Sequence, residues 1–110
     1  MKQGEIWEMY FDPIKGSEQG GRRPAVIISG NLLNSYLNMV IACPLTTSIK
    51  NYKGNLILEP DEMNGLEQTS EVLTFHIRSV SKNRLKSKVG QIPLKDVEFI
   101  KSTLSDILRY

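Results

Sequence analysis

Histidine, cysteine and tryptophan each occur once in this chain, and no apolar run is long enough to cross a membrane. One cysteine excludes an internal disulfide and any multi-cysteine zinc site. Cys43 lies in an apolar run and is expected to be a buried free thiol. One histidine, His76, excludes catalysis by a pair of imidazoles. Charge of either sign is nearly absent as a net quantity, at +2. So small a balance does not argue for nucleic acid; only the placement of charges can. Repeats, low-complexity segments, linkers and signal-like stretches are also missing, which makes a cytoplasmic location the default expectation. With 110 residues, the chain is expected to form a single domain over 1–110 with a core of its own.

What the chain does have is many short strand-like segments and one helix. Residues 5–11 alternate well enough for a first strand, and Asp12-Pro13 breaks it. Val26-Ile27-Ile28 is a β-branched run that suits a buried strand over 24–29. A short helical turn is expected after Gly30, then a core strand over 38–45, where Pro44 implies a bend or an edge position. Further strands are expected at 55–58, 70–75, 77–80 and 86–92. After Pro93, Val97, Ile100, Leu104, Ile107 and Leu108 recur at spacings of three and four, so they share one face of a helix. Asp96 and Arg109 complement its dipole. This pattern predicts a mainly β fold, a small barrel or rolled sheet closed by a C-terminal helix.

The richest stretch chemically is Gly16-Ser17-Glu18-Gln19-Gly20-Gly21-Arg22-Arg23-Pro24. Glycines allow close backbone approach to a ligand, and guanidinium groups grip phosphates or carboxylates. Pro24 biases Arg23 toward extended geometry. The arginines and proline run into a strand, whereas a nucleotide-binding loop needs Lys and Ser/Thr before a helix, so an NTPase is rejected. Glu59, Asp61 and Glu62 read as a solvated acidic loop rather than a magnesium site. No serine sits in a nucleophile elbow. No metal or cofactor is expected.

Gly4-Glu5-Ile6-Trp7, Asp12-Pro13, Gly16-Ser17-Glu18-Gln19-Gly20-Gly21, Arg23-Pro24, Pro44-Leu45-Thr46-Thr47 and Arg78-Ser79 occur in order at characteristic spacing. Together they resemble the MazF/PemK toxins of bacterial toxin–antitoxin pairs. The resemblance implies an SH3-like β-barrel that forms a homodimer. It also implies sequence-selective, metal-independent cleavage of single-stranded RNA, and inhibition by a cognate antitoxin protein. On the same resemblance, Arg23 corresponds to the catalytic arginine before proline. Thr46 corresponds to the threonine that contacts the scissile phosphate.

RNA carries its own nucleophile, the 2′-OH beside each phosphate. An enzyme needs to align it, move two protons and stabilise charge on the phosphate oxygens. Arg23 suits the last task, because a guanidinium stays protonated. Thr46 has a hydroxyl to donate to a phosphate oxygen, and Glu18 suits orientation of Arg23 through a bidentate pair. Ser17, Gln19, Arg22, Thr47, His76 and Arg78 are candidate RNA contacts. Phe75-His76 departs from the family pattern, which has a polar or acidic residue and then glutamine. A free imidazole titrates near about 6.5, so His76 is either a proton donor or a base-contacting or packed histidine in place of the glutamine. Between Glu71 and Asp96 stand six Lys/Arg and no acid. Such a strip either follows a phosphate backbone or blunts an exposed strand edge. Two other readings stay open on sequence: a toxin of the same fold that poisons DNA gyrase, and an RNA-binding module that cuts nothing.

Overall fold

A computed structural model of the chain describes residues 1–11 and 21–110. Its strands are β1 (Glu5–Tyr10), β2 (Arg22–Ile27), β3 (Met39–Thr46), β4 (Ile57–Leu58), β5 (Ser70–Val72), β6 (Arg78–Ser81) and β7 (Leu85–Gln91). A short helix α1 (Asn31–Tyr36) links β2 to β3, and helix α2 (Leu94–Arg109) closes the chain. The strands form one sheet in the order β4-β5-β3-β2-β1-β7, with β6 also on β3, and every pairing is antiparallel. This is the mainly β, SH3-like half-barrel with a terminal helix that the sequence predicts.

The alternating burial of the strands divides the apolar residues between two faces. Ile6, Val26, Ile28, Cys43, Leu45 and Val72 lie on one face and are covered by Val97 and Ile100 of α2. Met9, Ala25, Ile27, Val40, Ala42 and Val80 lie on the other, flanked by half-buried Trp7, Phe11 and Leu85. Burial pushes the pKa of the Cys43 thiol up to about 12, as expected for an inert core cysteine.

Three local readings change in the structure. Arg22 and Arg23 lie within β2 rather than in the preceding loop. Strand β5 stops at Val72, and Thr74–His76 make a 3₁₀ turn instead of continuing it. Of the bend or edge position expected for Pro44, the edge is excluded, because it sits in a central strand where β3 changes partner. The strand admits it through a break in the ladder. β3 pairs with β6 up to Ala42 and with β5 from Leu45, and Pro44 falls between, beside the 3₁₀ turn. A missing N–H costs no ladder bond there. The acidic loop at 59–65 is a braced turn. Asn64 donates its backbone N–H to Asp61 Oδ1 at 2.7 Å and its side-chain amide to the Glu59 carbonyl at 2.9 Å. Gly90 has no side chain because the Asn64 carbonyl would meet a Cβ at 2.3 Å.

Candidate active site

Strand register places the two leading candidates together. β2 and β3 pair as Ala25↔Pro44, Val26↔Cys43 and Ile27↔Ala42. Continued two residues past its last rung, the same register brings Arg23 level with Thr46. Pro24 has no N–H for the intervening rung, and the ladder ends there. Arg23 and Thr46 therefore stand on one face at an open end of the two strands, beyond the buried Ala25 and Pro44. Met9 of β1 flanks Arg23 on its other side. Arg23 is exposed and Thr46 half-buried, and Arg23 makes no ion pair with a described residue. The Thr46 hydroxyl accepts the Ser48 N–H at 3.1 Å, which leaves its own hydrogen to donate.

The other candidates are dispersed. Arg22 projects to the opposite face, where its Nε lies 3.6 Å from Glu8 Oε1. Thr47 is exposed just past the end of β3. Arg78 pairs with Ala42, on the face of Arg23 and Thr46. At about 3.3 Å per residue, that is roughly 13 Å along β3 from Thr46. Its guanidinium lies over the Phe11 ring, 5.3 Å from the centroid. Arg78 and Phe11 line a recess of about 210 Å³ with Tyr10, Ser79, Ser81 and Arg84. Ser17, Glu18 and Gln19 lie outside the described residues.

His76 stands apart from Arg23 and Thr46. It lines a recess of about 430 Å³ with Tyr52, Lys53, Asn55, Leu73, Phe75 and Ile107 of α2. The Phe75 ring meets the imidazole edge-on at 5.8 Å between centroids. Phe75 and Tyr52 are 74% and 59% exposed, so both rings are open to a planar ligand. The basic strip is partly committed to the fold. Lys88 pairs with Glu5 at 3.3 Å, and Lys82 donates to the Asn34 carbonyl. Burial acts to raise the Glu5 pKa, but the Trp7 indole N–H, the Lys2 N–H and Lys88 outweigh it and hold the carboxyl below its usual range.

Sequence reasoning missed Glu71. It lies directly across β5 from Thr46 and is fully buried. Oε1 accepts the N–H groups of Lys50 and Asn51 at 2.7 and 2.9 Å. Oε2 accepts the Tyr52 N–H and the Asn55 side-chain amide, both at 2.9 Å. Burial pushes its pKa up; the Asn55 amide and the three backbone N–H groups more than offset this and hold it below the ordinary glutamate value. The available signal was an acid within a segment expected to be a strand, next to the apolar Val72-Leu73, because a buried carboxylate must find donors.

Comparisons with known proteins identify the family. Residues 2–108 match the family described as PemK-like, MazF-like toxin of type II toxin-antitoxin system. The endoribonuclease toxin MazF of Escherichia coli K12 is 30% identical over 105 residues, which cover 96% of this chain and 91% of that protein. The endoribonuclease MazF of Staphylococcus saprophyticus is 32% identical, covering 94% and 88%. Among solved structures, MazF from Deinococcus radiodurans superposes with a TM-score of 0.80 at 28% identity, covering 100% of this chain and 97% of that one. The MazE–MazF complex of the same organism gives the same score and identity over 99% and 96%. With the fold, the motif order and nearly the whole length in agreement, this chain belongs to the PemK/MazF toxin family of type II toxin–antitoxin systems.

Proposed function

We propose that the protein is a sequence-specific endoribonuclease toxin that cleaves single-stranded RNA at the open end of β2 and β3. The observation that carries this reading is the β2–β3 register, which, continued past Ala25 and Pro44, brings Arg23 level with Thr46 on one face, in a chain whose relatives are endoribonucleases. The 2′-oxygen attacks the adjacent phosphorus as the bond to the 5′-oxygen breaks. One proton leaves the 2′-OH and one reaches the departing oxygen, so the products are a 2′,3′-cyclic phosphate and a 5′-OH. Arg23 stabilises the charge that gathers on the phosphate oxygens, and the Thr46 hydroxyl donates to one of them. Glu18 orients the guanidinium. Ser17, Gln19 and Thr47 contact RNA around the cut, while Arg78 and His76 contact nucleotides further along the strand; Arg22, on the opposite face and paired with Glu8, is not among these contacts.

No step in this scheme calls for a metal. The protein acts as a homodimer in the cytoplasm, and its partner is an antitoxin protein, in the place that MazE takes beside MazF in the Deinococcus radiodurans complex. The test is incubation of the purified protein with unstructured RNA in EDTA, followed by analysis of the new ends. Cyclic phosphate and 5′-OH termini are expected. Intact RNA, or 5′-phosphate termini, contradicts the proposal.

A further inference from the structure

We infer that Glu71 is a positioning residue for RNA cleavage, holding the segment after Thr46 so that the hydroxyl and the neighbouring recess keep their places. The inference rests on the nuclease reading above and adds a residue to it.

The segment from Thr47 to Leu56 joins β3 to β4 outside the strand ladders. Its backbone donors are satisfied chiefly by two side chains in one row. Thr46 takes the Ser48 N–H, and Glu71 takes those of Lys50, Asn51 and Tyr52. Directly opposed residues of an antiparallel pair share a face, with Cβ atoms about 5 Å apart. Arg23, Thr46 and Glu71 thus form a row across β2, β3 and β5, from exposed guanidinium to half-buried hydroxyl to buried carboxylate. Asn51 takes a positive φ of 56°, a conformation that a non-glycine residue holds at a cost. Two hydrogen bonds to Glu71, from Asn51 itself and from Tyr52, fix the backbone on both sides of that residue. Tyr52 and Asn55, both held by Oε2, are also walls of the His76 recess.

Glu71 is not the general base. Both oxygens are occupied by donors, and the carboxylate is sealed from solvent. It acts through the segment it holds. A displacement of about an ångström at a reacting centre lowers rates up to about a hundredfold, so loosening this segment is expected to reach the chemistry.

The experiment uses Glu71→Gln in the full chain, because the amide keeps Oε1 and sets an NH₂ against the Tyr52 and Asn55 donors. Amide exchange at Lys50, Asn51 and Tyr52 is expected to speed up about tenfold or more while α2 stays protected. On unstructured RNA, kcat falls about tenfold with KM within about twofold. In a Thr46→Ala background, the same change costs less than about threefold, because the group being positioned is gone. If Glu71→Gln does not fold, Asn55→Ala removes one donor only, and it should show the same kcat-weighted loss at about threefold. Cleavage at the wild-type rate with a loosened segment overturns the inference, as does full multiplication of the Glu71 and Thr46 losses. Wild-type protein that leaves RNA intact sinks the nuclease reading itself, an outcome separate from either of these.

Discussion

The two faces of the sheet are built from the same strands and do different work. On the helix-covered face, Ile6, Val26, Leu45 and Val72 meet Val97 and Ile100, and burial supplies stability. On the other face, the apolar set runs from Val80 through Ala42 and Ala25, then gives way at one end to Arg23, Thr46 and Glu71. The change happens where Pro24 ends one ladder and Pro44 interrupts another. Arg23 lies past the last β2–β3 rung, so its side chain can turn to a ligand, whereas Glu71, paired with both β3 and β4, is committed to the fold. On the proposed reading, the chemistry gathers at one end of the second face, whose buried residues still belong to the core.

The largest expected effect is on the open side. Arg23→Ala should lower RNA cleavage by about a hundredfold or more, the scale of losing one preorganised charge donor, with thermal stability unchanged because the side chain is exposed. Ile100→Ala should do the reverse, costing about 3 kcal/mol of unfolding free energy measured in urea, with cleavage per folded molecule retained. If either substitution moves both quantities strongly, the division between the faces is wrong.

Acid should reveal Glu71 next. Its folded pKa lies below the unfolded value, so its contribution is complete above the ordinary glutamate range and is lost as pH falls through the lowered value. Wild-type melting temperature should fall more steeply than that of Glu71→Gln between about pH 5 and pH 3; parallel curves contradict the assignment. A smaller effect is expected at His76, whose recess does not include Arg23 or Thr46. His76→Gln should raise KM about threefold and leave kcat near wild type. A kcat loss above about tenfold would instead make His76 the proton donor. Smallest of all, Cys43 should not react with a thiol reagent at neutral pH until the protein unfolds.

The helix and the strands over 5–10 and 85–91 were legible because their apolar residues recur at regular spacing, and the strand over 39–46 because it is one continuous apolar run. Arg23 and Thr46 were legible only together, as motifs at two strand ends, since neither residue alone distinguishes a phosphate contact from a turn. Glu71 was hidden because its donors lie 16 to 21 residues away, on a segment with no periodic pattern. The 3₁₀ turn at 74–76 was hidden for a related reason. It forms where Pro44 on a distant strand withholds a rung, which no local propensity of Thr74-Phe75-His76 announces.

The account centres on Arg23 and Thr46 gripping one phosphodiester. Its most direct test is titration of an RNA oligonucleotide, made uncleavable by a single 2′-deoxy at the mapped cut, into ¹⁵N-labelled protein. The Arg23 Nε–H and the Thr46 amide should shift together with one dissociation constant, while Ile100 stays still. Shifts centred elsewhere, with Arg23 and Thr46 silent at saturation, would contradict it.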